Sequence, residues 1–264
     1  MLLKNLISKA TYGTIGYVAS QDDIDLTEQY ILYNLPVLKQ FQHVAVATNY
    51  SSLDLIQPNA QLWKKYFPEC TLLDSKVNRG HCFGTADLDD MLFDYCKENK
   101  IEWLCKSAND ILVQETILDK EVDEANFYYL NGIGYGGMDQ YDYIFDRIIK
   151  EDFYPQTNFY FINIGKTDYL NDKNHITEIY DKVQDISNYS GKAWEYGFRS
   201  CEHLLGECIR RNQLSTHHLL SNEKYRILLQ VVKDYNIHDC SHKNIMVDGI
   251  CHFQFNDQQV INIQ

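Results

Sequence analysis

Basic residues are the sequence's first shortage. There are 24 Lys and Arg against 37 Asp and Glu, a formal net charge of −13 over 264 residues. Binding along a nucleic-acid backbone needs clustered cations, so this balance argues against a nucleic-acid partner. The acidic surplus itself reads as solvated surface. Paired cysteines are missing too. The 8 cysteines fall at 70, 82, 96, 105, 201, 208, 240 and 251, and no two make a Cys-x-x-Cys pair, which leaves a zinc-ribbon reading little support. Several fall on apolar helix faces, where a free thiol behaves as a small hydrophobe. Reduced thiols fit a cytoplasmic setting. Long apolar runs are also absent. No stretch of about 18 apolar residues occurs, so no membrane span is expected, and Lys4 and Lys9 precede no apolar segment of signal length. Prolines number 4, and no Pro/Gly-rich linker, repeat or low-complexity tract divides the chain. One domain is the simplest organisation, and 45% hydrophobic residues can give it a substantial core.

What the sequence does have is alternation. Residues 14–20 form an apolar run of strand length. Asp25, with Glu28 three residues later, marks a helix start, and Tyr30, Ile31, Leu35 and Leu38 follow at roughly helical spacing. Residues 43–49 are a second strand, Asn59 caps a short helix bearing Leu62, Trp63, Tyr66 and Phe67, and residues 70–73 are a third strand. Leu88, Met91, Leu92, Tyr95 and Cys96 then recur at i, i+3, i+4, i+7 and i+8. Asp87, Asp89 and Asp90 fall in that helix's first turns, where its dipole favours carboxylates. The strand around Trp103 completes a βαβ series, which predicts a mostly parallel sheet flanked by helices.

After residue 113 the rhythm changes. Phe127 begins a strand-like stretch that runs into four glycines between 132 and 137, a binding-loop composition. Residues 159–163 read as a strand, 199–211 as an amphipathic helix, 225–235 as a further helix and 252–263 as an edge strand. The expected layout is a nucleotide-binding half over about 12–113 and a more irregular acceptor-binding and C-terminal half over about 114–264.

The richest stretch is 102–113. It reads as a buried strand that delivers Asn109 and Asp110 to its C-terminal end. In open α/β sheets, ligands sit outside the carboxyl ends of the strands. A carboxylate there can hold a cation, and the cation a phosphate. Upstream, Asn78-Arg-Gly-His-Cys-Phe-Gly84 leads into a helix, and Gly80 and Gly84 let a ligand approach the backbone. The two stretches together point to an activated, phosphate-bearing substrate.

In these residues the chain resembles the GT-A-fold nucleotide-sugar glycosyltransferases. Tyr17–Ser20 followed by Asp22 and Asp23 looks like the family's first strand and the loop that holds base and ribose. Asn78–Gly84 with Asp87 resembles the segment that lies along the nucleotide. Ser107-Ala-Asn-Asp110 falls where the family carries its DxD motif. The resemblance spans roughly residues 12–165. It implies a Rossmann-type α/β sheet in a single domain, and transfer of a sugar from a nucleotide-diphosphate sugar to a hydroxyl on a glycan, lipid or protein. The motif is degenerate. Ala108 stands in place of its first acid, so Asp110 is left as the one carboxylate. Mn2+ or Mg2+ can be held by one or two carboxylates with substrate phosphates and waters. Metal-independent neutralisation of the diphosphate by Arg79, Lys106 or His81 is the other expectation.

The implied donor site comprises Ser20, Asp22, Asn49, Asn78, Arg79, Gly80, Asp87, Lys106, Asn109 and Asp110. Asp87 could orient a base or Arg79. The metal would sit on Asp110, with His238 and His242 as further candidates because residues at i and i+4 can share a helix face. An inverting enzyme needs a base for the acceptor hydroxyl, and Glu202, near the start of its helix, or Glu195 beside Trp194 would supply it. Tyr129, Asn131, Tyr135 and Trp194 would line the acceptor site. Plain readings stand beside these: a strand-end turn for Asn109-Asp110, a solvated helix-start glutamate, a buried aromatic strand for 127–131. Two other functions compete. A sugar nucleotidyltransferase usually shows a Gly-rich stretch with a basic residue after the first strand, whereas Ser20-Gln-Asp-Asp23 is acidic and Gly-free. A catalytically reduced binding protein of the same fold would account for Ala108.

Overall fold

Four strands, β1 (Ala10–Val18), β2 (His43–Tyr50), β3 (Thr71–Ser75) and β4 (Trp103–Ala108), run parallel in one sheet. The computed structural model describes residues 1–76, 78–79, 81–109, 111–131, 155–168, 201–221, 223–224, 227, 244–252 and 260–263. Before β1 lies the short α1 (Lys4–Ile7), and between the strands run α2 (Gln21–Leu38), α3 (Ile56–Tyr66) and α4 (His81–Glu98). Beyond β4 come β5 (Ile111–Val113), β6 (Phe127–Asn131), β7 (Pro155–Asn163), α5 (Cys201–Arg211), β8 (Thr216–His218), β9 (Asn244–Val247), β10 (Ile250–His252) and β11 (Val260–Ile263). The large sheet has seven strands in the order β3-β2-β1-β4-β7-β6-β8, and a second sheet of four is ordered β11-β9-β10-β5. In the large sheet β7 runs against both its neighbours. From β1 the chain steps outward to β2 and β3, then crosses back to place β4 on the other side of β1. That reversal opens a crevice between the carboxyl ends of β1 and β4.

Side-chain alternation builds two cores from one sheet. Tyr12, Val44, Val46, Cys105, Tyr128 and Phe161 pack with Tyr30 and Ile31 of α2 and Leu62 and Trp63 of α3. Ala45, Ala47, Leu104, Phe127, Tyr160 and Ile162 pack on the opposite face with Leu88, Leu92 and Phe93 of α4 and Leu205 and Ile209 of α5. Each large apolar side chain buried in this way contributes about 1.5–3 kcal/mol. Cys96, Cys105 and Cys208 are buried thiols. Burial pushes the Cys96 thiol up to about 12 and that of Cys105 well above its ordinary value, so both behave as small hydrophobes. No described helix is long and apolar enough to cross a membrane.

Three helix starts differ from the sequence reading. α2 begins at Gln21 rather than Asp25, because the Asp23 carboxylate accepts from the Ala19 and Ser20 amides at 2.8 and 2.9 Å and so caps the helix there. α3 begins at Ile56, so Asn59 lies inside it; its buried Nδ2 donates to the Tyr50 hydroxyl at 3.0 Å. α4 begins at His81, which moves Asp89 and Asp90 from the first turns to the buried middle of the helix. The apolar run after Asn109 does not continue β4: it turns away as β5 and joins the second sheet. The expected edge strand of the tail is present as β11, parallel to β9. The expected helix over 225–235, apart from Ile227, and the glycine segment over 132–137 lie outside the described residues.

Candidate nucleotide-binding site

The crevice begins at Gly16. A Cβ there would lie 3.5 Å from Asn109 Nδ2, so the Asn109 carboxamide lies across the end of β1. The next residue, Tyr17, is 47% exposed. Strand register pairs Tyr17 with Asn49 of β2, which puts their side chains next to each other on the α4 side of the sheet.

Asn49 is 3% exposed. Its Nδ2 donates to Asn78 Oδ1 at 3.5 Å, and its Oδ1 has no hydrogen-bond partner among the described residues. A buried carbonyl oxygen without a partner is costly, so the atom is an acceptor that a bound N–H or O–H would satisfy. Gly84, in the first turn of α4, leaves room for this arrangement. A Cβ at residue 84 would sit 3.2 Å from Asn49 Nδ2 and 3.5 Å from Asn78 Oδ1. Just before the helix, Arg79 Nε donates to Asp87 Oδ2 at 2.8 Å, and its Nη2 donates to Asp87 Oδ1. The two-pronged bond fixes the guanidinium plane, beside a helix N-terminus whose amides and dipole favour anions. Asn49, Asn78, Arg79 and Asp87 therefore gather between the end of β2 and the start of α4, and Asn109 follows β4 and lies against β1 at Gly16.

Other expected residues are placed elsewhere. Lys106 is 1% exposed. Its ammonium lies 3.3 Å from Asp89 Oδ1 and donates to the Thr157 carbonyl, over the Tyr160 ring. The pleat turns it toward α4 and away from the strand ends, so it is a buried structural cation in place of the diphosphate ligand expected. Tyr129 is a core residue, 6% exposed, stacked on Phe127 with ring centroids 5.6 Å apart. The pleat that turns Tyr129 into the α5-side core removes it from an acceptor surface. Ser20 and Asp22 are exposed in the turn after β1, where the Ser20 amide and hydroxyl are both given to Asp23. Glu202 is the second residue of α5, near its start as expected, and Asn131 ends β6. Gly80, Asp110, Tyr135, Trp194, Glu195, His238 and His242 lie outside the described residues. Among the described residues no group of three or more His, Cys, Asp or Glu is arranged to hold a metal ion.

Tyr17 was missed as an individual site residue by the sequence reading, although it opens the Tyr17–Ser20 stretch that resembles the family's first strand and loop. Its position at the end of the run was the available signal. Asn34, buried on α2, was missed as well; a polar residue on an apolar helix face was its only mark.

No protein-family model matches the chain, and no curated protein does. Solved structures do match. The mannose-1-phosphate geranyltransferase of Thermus thermophilus is 10% identical, with 89% of this chain and 82% of that one covered at a TM-score of 0.44. The inositol-1-phosphate CTP transferase of T. maritima is 9% identical, with 85% and 97% covered at 0.40. The nucleoside-diphosphate-sugar pyrophosphorylase of Vibrio cholerae is 8% identical, with 83% and 99% covered at 0.41. At these identities and scores no residue's role is carried over from them.

Proposed function

We propose that this chain is a transferase of the nucleotide-sugar class, which binds the nucleoside-phosphate part of its substrate at the carboxyl ends of β1, β2 and β4. The observation that carries the reading is the buried Asn49 carboxamide, its oxygen unpartnered among the described residues, next to the Asp87-held Arg79 at the start of α4. Asn49 Oδ1 would accept from a base N–H or a ribose hydroxyl, and the Tyr17 ring would cover a base or sugar face. Arg79 and the α4 N-terminus would hold a phosphate. Asn109 and Asp110 would face the phosphate nearest the reacting bond. A divalent ion, Mn2+ or Mg2+, would rest on Asp110 and on the phosphate's own oxygens, and would supply charge neutralisation of the leaving phosphate. Glu202 or Glu195 would take the acceptor's proton.

Two group transfers suit such a site. In the first, a sugar passes from a nucleotide-diphosphate sugar to a hydroxyl of a glycan or other acceptor, and a nucleoside diphosphate leaves. In the second, a nucleoside triphosphate and a sugar phosphate combine to make the nucleotide sugar and release pyrophosphate. That second type of chemistry is named by the CTP transferase and the pyrophosphorylase among the solved structures. The turn after β1 speaks for the first: its Ala19 and Ser20 amides are taken by Asp23, with no glycine or basic residue between 19 and 23.

A calorimetric and turnover screen separates these outcomes. UDP-, GDP-, CMP- and dTDP-sugars are tested beside the nucleoside triphosphates paired with sugar 1-phosphates, with and without Mn2+. Pyrophosphate release identifies nucleotidyl transfer, and release of nucleoside diphosphate, or of CMP from a CMP-sugar, in the presence of an acceptor identifies glycosyl transfer. Binding without turnover identifies a catalytically reduced binding protein. If nothing in either set binds, the reading of the crevice is wrong.

A further inference from the structure

Asn34 is fully buried near the C-terminal end of α2, yet its side chain is polar. Its Nδ2 donates to the Ile111 carbonyl at 3.0 Å, and its Oδ1 accepts from the Val113 amide at 2.6 Å. These are the two groups that a neighbouring strand would bond. The carboxamide thus stands in for a strand along one edge of β5, while β10 pairs with the same strand. An apolar residue would suit a buried helix position equally well, but it would leave Ile111 C=O and Val113 N–H without partners.

The location of β5 gives this clamp its significance. The strand begins directly beyond Asn109-Asp110, at the corner where the chain leaves the large sheet for the small one. Asn109 lies across Gly16 at the end of β1. At its other end α2 starts in the turn after β1, where Asp23 binds the Ala19 and Ser20 amides. One rigid helix therefore grips both walls of the crevice, the exit of β1 through Asp23 and the entry to β5 through Asn34.

We propose that Asn34 is a positioning residue of the site: by clamping β5 it fixes Asn109 against the end of β1. This inference rests on the crevice being a nucleotide site. By analogy, replacing the groups that orient metal ligands from behind typically costs about 10- to 100-fold in metal affinity or activity.

The test measures UDP and GDP affinity, each with Mn2+, alongside hydrogen exchange at the Val113 amide. Four proteins are compared: the natural chain, Asn34→Ala, Asn34→Asp and Leu92→Ala. Asn34→Asp keeps the acceptor for Val113 and loses the donor to Ile111. Leu92→Ala destabilises the opposite core and controls for stability alone. The expected result is about a 10-fold or greater loss of affinity in Asn34→Ala with fast Val113 exchange, partial rescue of both in Asn34→Asp, and unchanged affinity in Leu92→Ala despite its lower melting temperature. Should Asn34→Ala not fold, Asn34→Ser, which also cannot span both groups, takes its place. Affinity that follows melting temperature across all variants, or that is unchanged in the Ala or Ser variant, overturns the role of Asn34 alone. If the natural chain binds neither nucleotide while Val113 exchange still responds to Asn34, the site reading fails and the positioning role fails with it.

Discussion

Arg79 and Asp87 are locked together across the start of α4, with Nε on Oδ2 at 2.8 Å and Nη2 on Oδ1. Arg79 precedes the helix and Asp87 lies in its second turn, so the pair holds the guanidinium alongside the start of α4. Arg79→Lys keeps the charge and loses the fork. It should weaken nucleoside diphosphate binding roughly tenfold, about 1.4 kcal/mol. Asp87→Asn weakens the two-pronged bond that holds the guanidinium and should weaken binding by a similar factor. The double variant should cost less than the two losses combined, because both remove the same oriented group. Isothermal titration of the four proteins checks this, and strictly additive losses would mean that Asp87 does not act through Arg79.

Gly84 is the narrow point of the site. Its replacement by Ala brings a methyl to 3.2 Å from Asn49 Nδ2 and 3.5 Å from Asn78 Oδ1. Within a helix, Ala is favoured over Gly by about 1 kcal/mol, which offsets part of the crowding. The expected outcome is a melting temperature within a few degrees of the natural chain, with clearly weaker nucleotide binding because Asn49 is displaced. Calorimetry measures both quantities on one sample. Weakened stability with intact affinity would remove Asn49 from the site.

The parallel strands were legible because a strand buried on both faces reads as an unbroken apolar run. β1, β2 and β4 approach this, being mostly apolar and buried on both faces with a few buried polar residues among them. Helix starts were less legible because the capping groups precede the apolar pattern. Asp23 sets the start of α2 before its apolar face is established, and the clear periodicity of α4 begins at Leu88, well inside the helix. Lys106 and Tyr129 were assigned to a ligand because their pleat direction depends on a strand register that sequence alone does not specify. Asp89 looked like a first-turn acid because its compensating cation, Lys106, lies on another element. The departure of β5 to a second sheet depends on β10, far along the chain, and on one side chain of α2. Asn49, Asn78, Arg79, Asp87 and Asn109 were singled out from the sequence because they lie at or just beyond strand ends, the place where ligands bind in this architecture; the Arg79–Asp87 bond is a contact the sequence reading also raised.

Histidines on β8 should make stability depend on pH. Burial pushes the His218 imidazole down, opposed by its bond to the Leu220 carbonyl at 2.6 Å and reinforced by His217 and Lys120. Burial also lowers His217, against the nearby Asp123. The unfolded chain takes up these protons near pH 6.5, while the folded one resists. Stability is therefore fully present above about pH 6.5 and is lost as the pH falls through the lower folded values. Urea midpoints from about pH 7.5 to about pH 5 should decline, and His218→Gln should show a shallower decline from a lower starting point. Equal slopes in the two proteins would assign the acid sensitivity to other groups.

Lys106 and Asp89 form a buried pair, 1% and 4% exposed, with Nζ 3.3 Å from Oδ1. Removing one partner strands the other charge in the core, which costs about 3–5 kcal/mol, whereas replacing both with apolar groups of similar size is often neutral or better. Lys106→Ala and Asp89→Ala should each lower the urea midpoint strongly, and Lys106→Met combined with Asp89→Leu should recover most of the loss. The same double variant decides between the two roles proposed for Lys106. As a structural cation it can be lost without affecting the crevice, so nucleotide affinity in the refolded double variant should match the natural chain within about twofold, less than about 0.5 kcal/mol. A stable double variant that no longer binds nucleotide would return Lys106 to the ligand site and overturn its assignment to the core.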